Sequence, residues 1–141
     1  MVLYAKDIMK KYTRQVDGNM TALEGAKIMA TDHVGFLIIQ QEGKPIGMVT
    51  EWDYVSKIVA KGLDPGKVLL KDIMSSPITY IDPNTPTDQV ATLMAQKGIR
   101  RLPVIDKGEL VGVVTSRDIL RIFREYVDKI TTLIASFSST V

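Results

Sequence analysis

The chain has 141 residues, 45% of them apolar and 24% charged, with a net charge of +2, one histidine and no cysteine. That size suits one compact domain, or two intimately packed halves that bury a real core. The charge is too small to argue for nucleic acid or an anionic membrane; the missing cysteines exclude disulfides and thiolate sites, and the lone His33 excludes any site needing two imidazoles.

In chain order, Lys6-Asp7-Ile8-Met9 comes first, then a short extended piece at 14–16. An amphipathic helix is predicted over 21–32, with Thr21 and Glu24 as a capping box. His33 closes it, placed to interact with the helix dipole. Two apolar strands follow, 36–40 and 46–50, joined by a turn at Glu42-Gly43-Lys44, and a second helix starts at Glu51. The turn-forming stretch 61–67 separates this unit from its repetition.

The same order then returns. Lys71-Asp72-Ile73-Met74 repeats the opening tetrapeptide at a displacement of 65 residues, and Ala91 to Ala95 repeats Ala26 to Ala30 at the same displacement. So does Gly112-Val113-Val114-Thr115-Ser116-Arg117-Asp118, the second copy of Gly47-Met48-Val49-Thr50-Glu51-Trp52-Asp53. One offset without a gap is the signature of an internal duplication. The second unit is predicted as an extended piece at 78–81, a helix over 86–97 with Pro86 in its first turn, strands 102–106 and 110–115 turning at Lys107-Gly108, and a helix from Ser116. Amphipathic spacing through Phe123, Val127, Ile130 and Ile134 carries that helix past what the repeat needs, to a frayed tail at 136–141. Each unit is therefore β-α-β-β-α: an α/β fold, the first unit spanning 5–62, the second 68–126, with an extension at 127–141. One such unit has a marginal core, whereas two packed face to face bury both sheets and leave a cleft of two-fold character.

Two constellations carry chemistry. Thr50-x-x-Asp53 and Thr115-x-x-Asp118 each sit where a strand becomes a helix. A carboxylate there can accept from both hydroxyls of a cis-diol, and the amides of the helix start favour a phosphate. The same spacing is also close to a capping box, which needs no ligand. Arg100 and Arg101 precede a strand, and adjacent guanidinium groups suit phosphate geometry or surface ion pairs. At the matching first-unit positions stand Gly35, where a base can approach the backbone, and Phe36, either core or the wall of a slot. Met9, Met29, Met74 and Met94 match between units and read as gap-filling core. Trp52 is placed either beside the first corner or on a partner surface.

Taken together, Asp7-Ile8-Met9, Asp72-Ile73-Met74, Arg100 to Asp106 and the two Gly-x-Val-Thr-x-x-Asp copies resemble the cystathionine-β-synthase (CBS) domain family in its tandem arrangement, over roughly 5–126. No apolar stretch approaches the ~18 residues of a membrane span, and with no cysteine and one histidine the expectation is a cytoplasmic protein without a metal. The resemblance implies a non-catalytic module that binds AMP, ADP, ATP or S-adenosylmethionine and reports to a separate effector protein. It implies that Asp118 and Asp53 take ribose hydroxyls beside Thr115 and Thr50, that Ser116, Arg117, Arg100 and Arg101 meet phosphate, and that adenine lies against Val16, Val34, Gly35, Phe36, Ile78, Ile81 and Ile99. The Asp118 corner gathers hydroxyl and positive charge, and the Asp53 corner, with Glu51 and Trp52, gathers negative charge and apolar surface. Surplus apolar positions (Val55, Ile58 and Val59; Ile119, Leu120, Ile122 and Phe123) point to a homodimer of four repeats. The alternatives are an assembly module with empty clefts, or nucleic-acid binding, which the modest charge disfavours.

Overall fold

A computed structural model describes residues 3–138. A short helix α1 (Ala5–Ile8) precedes strand β1 (Gln15–Asp17), helix α2 (Ala22–Asp32), the hairpin β2 (Phe36–Gln41) and β3 (Lys44–Thr50), and α3 (Glu51–Tyr54), which continues through Val55–Val59 in wider π-type turns. After a 3-10 turn at Pro65–Lys67, the order returns as α4 (Leu70–Ile73), α5 (Thr87–Lys97), the hairpin β4 (Arg101–Asp106) and β5 (Glu109–Thr115), and the 23-residue α6 (Ser116–Ser138). None of these helices is long and apolar enough to cross a membrane.

Local chemistry accounts for the boundaries. Thr21 caps α2, its hydroxyl accepting from the Glu24 amide at 3.2 Å. Pro86 sits one position earlier than expected, at the N-cap of α5, where its fixed φ suits the extended backbone. Both α2 and α5 end in a left-handed residue, His33 (φ 54°) and Gly98 (φ 63°), whose amides donate back to Met29 and Met94. The hairpins turn at Glu42-Gly43 and Lys107-Gly108, all four residues at positive φ, the geometry that matches the strands' twist. α6 is longer than expected: it stays helical through Ser138 where a frayed tail was expected from Ser136, and the remainder of that tail lies outside the described residues.

The two sheets are unequal. β1 runs parallel to β2, which pairs antiparallel with β3. In the second unit the expected strand at 78–81 is reduced to one rung, with Ile81 donating to Pro103 and accepting from Ile105. The next rung would need an N–H from Pro103, which has none, so the ladder stops.

The two units exchange their opening helices. Ala5 and Ile8 of α1 lie in the second unit's core with Val90, Leu102, Val104 and Val114. Leu70 and Ile73 of α4 lie in the first unit's core with Leu37, Ile39 and Val49. The second residue after each helix then pairs with the outer strand of that foreign unit: Lys10 and Val113 exchange both backbone bonds at 3.0 Å, and Ser75 and Met48 exchange theirs at 2.9 and 3.1 Å. Glycine makes the approach possible, because a Cβ at Gly112 would stand 2.7 Å from the Lys10 carbonyl and one at Gly47 2.8 Å from that of Ser75. A third cluster of Phe36, Ile38, Ile105, Leu110 and Val113 joins the two sheets.

Two phenols are locked into this core. Tyr54 donates to the Ala22 carbonyl at 2.7 Å, and burial pushes its hydroxyl up to about 12. Tyr12 is likewise raised to about 12, by burial first and then by its hydrogen bond to Asp32. The unfolded chain releases such protons near pH ~10, before the folded chain does, so their contribution to stability is intact below that pH and is lost as pH rises through about 12. An ultraviolet titration should show a late tyrosinate component that shrinks in Tyr12→Phe and in Tyr54→Phe and is absent in denaturant.

Candidate functional site

At each strand-to-helix corner the chain folds into a capping box. The Asp53 carboxylate accepts from the Thr50 amide at 2.8 Å and its hydroxyl at 3.4 Å. The Asp118 carboxylate accepts from the Thr115 amide at 2.9 Å and hydroxyl at 3.0 Å. One carboxylate has about four acceptor positions, so the cap alone does not exhaust it. The helix starts are tied back to the opposite end of the hairpin: Glu51 donates to the Gly35 carbonyl and Ser116 to that of Arg100.

Each corner opens on a cleft. The first, of about 640 Å³, is lined by Thr50, Trp52 and Asp53 of its own unit and by Ile99, Arg100 and Arg101 of the other. Met48, Val55 and Pro77 supply apolar surface. The second, of about 590 Å³, has Thr115, Ser116 and Arg117 facing Val34, Gly35 and Phe36. Lys10 and Lys11 also reach it, because β-pairing with Val113 delivers that segment from the far unit.

Several expectations need correction. Asp118 lines neither cleft: it is fully buried, and its other oxygen meets Arg121 at 3.1 Å and Lys10 at 3.8 Å. Asp53 does face its cleft, although Lys57 sits 2.9 Å away on the far side and also donates to the Ile73 carbonyl. Val16 and Ile81 are core residues of the first and second units, Ile78 packs against the central cluster, and none of the three lines either cleft. Arg100 and Arg101 do not belong to one corner but border both. Phe36 is both core and cleft wall, with Tyr12 edge-on at 5.5 Å and the Arg101 guanidinium 5.8 Å from its ring.

The sequence reasoning missed Lys10, Lys11, Tyr12, Ser75 and Thr79 as lining residues. The available signal was the 65-residue register: Lys10 and Ser75 are equivalent positions just after the two opening tetrapeptides, and each arrives at the other unit's corner. Among the described residues no cluster of His, Asp and Glu could hold a metal ion.

Two matching α/β units, packed sheet to sheet with a cleft at each corner, define a tandem module of paired sites. The CBS domain family model matches residues 5–60 and again 70–125, and the chain belongs to that family, whose paired domains form regulatory modules. An uncharacterised Methanopyrus kandleri protein, MK0525, is 40% identical over 104 residues, which cover 72% of this chain and 53% of that protein, so the match spans about half of that relative's length. The CBS domain pair of protein MJ0100, solved in complex with 5′-methylthioadenosine and S-adenosyl-L-methionine, superposes with a TM-score of 0.81 at 32% identity, covering 89% of this chain and 99% of that one. A hexameric CBS-CP12 protein from bloom-forming cyanobacteria superposes with a TM-score of 0.80 at 37% identity, covering 85% of this chain and 71% of that one.

Proposed function

We propose that this module binds adenosine-bearing ligands in its two clefts and transmits their occupancy to a separate effector protein, working as a self-associated assembly. What supports the reading is one constellation, the meeting of the Asp53 carboxylate with Arg100 and Arg101 across a cleft of about 640 Å³. A ribose diol donates to the carboxylate, and phosphate oxygens accept from the guanidinium groups, each such charge-assisted bond contributing ~1.5–3 kcal/mol. Ile99, Val55 and Pro77 offer apolar surface for a base. Adenine on a ribose is present in both ligands of the MJ0100 pair.

The second cleft leans toward phosphate. Asp118 is enclosed there, and Lys10, Lys11, Arg100, Arg101 and Arg117 outnumber Asp32 and Glu51 among the lining residues.

A thermal-shift and calorimetry series with AMP, ADP, ATP and S-adenosylmethionine tests the reading. At least one ligand should raise Tm, because binding to the folded state alone adds RT ln(1 + [L]/Kd), ~2.7 kcal/mol at a hundredfold excess over Kd. Asp53→Asn keeps an acceptor for the Thr50 cap and removes the charge, and should weaken the responding ligand by roughly 10- to 100-fold, the equivalent of ~1.4–2.8 kcal/mol. No shift with any of the four at millimolar concentration would leave the module without its ligand class.

A further inference from the structure

The two clefts share a wall. Glu51, Arg100 and Arg101 border both. Within that wall Arg101 Nη2 lies 3.6 Å from Glu51 Oε1, and the guanidinium group stands over Phe36. The pairing depends on glycine at position 35, since a Cβ there would overlap the Glu51 carboxylate and stand 2.6 Å from Arg101 Nη2. Glu51 is 67% exposed, and an ion pair so open to water is a weak tie. A phosphate, which a guanidinium group can grip through two parallel hydrogen bonds, is a stronger partner than this carboxylate.

We propose that the Arg101–Glu51 pair is a switchable partition that couples the clefts negatively: a phosphate on either side takes Arg101 and lowers the affinity of the other side. This rests on the reading of the clefts as nucleotide sites. Two effects act in the same direction. Recruiting Arg101 into one cleft withdraws a cation from the other. It also uncovers Glu51, whose carboxylate borders that second cleft and repels a second phosphate there. Coupling of this kind is reciprocal, so it does not matter which cleft fills first. It also requires a phosphate, because an adenosine without one leaves Arg101 where it is.

Calorimetry on the full chain with AMP and with adenosine tests this, and Trp52, the single tryptophan and a lining residue of the first cleft, assigns one of the two steps by its fluorescence. AMP should fill the clefts in two steps separated by on the order of 10-fold, within the range usual for coupled sites, and adenosine in steps lying closer together. In Arg101→Met both AMP steps should weaken and their separation should narrow. Glu51→Gln, which keeps the shape of the wall, should narrow the AMP separation while tightening binding. An AMP separation no wider than that of adenosine, or one unchanged in both variants, overturns the partition and leaves nucleotide binding standing. No binding of either ligand removes both.

Discussion

Ile73→Ala should lower the stability of the chain by about 2–4 kcal/mol, and Ile8→Ala by a similar amount, the range for emptying a buried isoleucine site. Both side chains are almost completely enclosed, each in the core of the other unit. The distinguishing consequence is where the damage falls. Ile73 belongs by sequence to the second unit, yet it packs among Leu37, Ile39 and Val49; Ile8 belongs to the first, yet packs among Val90, Leu102 and Val114. Denaturant titration gives the magnitude, and amide hydrogen exchange gives the place. Protection should fall first in β2 and β3 for Ile73→Ala and in β4 and β5 for Ile8→Ala. Loss confined to each residue's own sequence repeat would contradict the exchange of helices.

That exchange explains why part of the fold was legible in the sequence and part was not. A buried strand shows itself as an apolar run of five or six residues, and the hairpins followed from those runs plus the Gly43 and Gly108 turns. The tetrapeptide Lys-Asp-Ile-Met is one helical turn, and one turn states that Ile8 and Ile73 are inward without stating whose interior receives them. Equivalence at 65 residues relates the two copies but does not say how they meet.

The same limit governs the clefts. Arg100 and Arg101 are neighbours of the Thr115 corner within their own unit, so sequence proximity assigned them there, with only the family resemblance letting Arg100 reach the Asp53 corner as well. In three dimensions Phe36 and Arg101, equivalent positions of the two units, touch each other, which puts them at the approximate two-fold axis. A residue at an axis serves both sides. The corners themselves were visible because Thr-x-x-Asp is a local pattern. Their unequal charge was legible too, but not the full burial of Asp118, which Arg121 one turn along α6 and Lys10 of the other unit enclose, while Asp53, 6% exposed and paired with Lys57, still borders its cleft.

The surplus apolar positions divide between the cores and the exposed outside of the helices. Ile58, Ile119 and Ile122 are used inside the units, in contact with their cores. Leu120, Phe123, Val127 and Ile134 stand on the outside of α6, with Leu120 and Phe123 each about two-thirds exposed at 66% and 65%. Together with Ile130 they recur at intervals of three and four along one helix, the spacing of a self-complementary apolar seam. Trp52, Val55 and Val59 add exposed apolar surface on the matching helix of the first unit. A seam of this kind suits a second copy of the chain, meeting it through identical patches about a two-fold axis. Sedimentation should therefore find at least a dimer at micromolar concentration. Phe123→Asp, which sets a charge in the middle of the seam, should raise the dissociation constant by roughly 100-fold or more, the loss of at least ~2.8 kcal/mol that truncating an interface anchor commonly brings. Because Phe123 lies outside the core, the melting of the dissociated chain should change little, separating lost association from lost folding. A monomeric unaltered chain, or a Phe123→Asp variant that sediments like it, would assign the seam to some other contact.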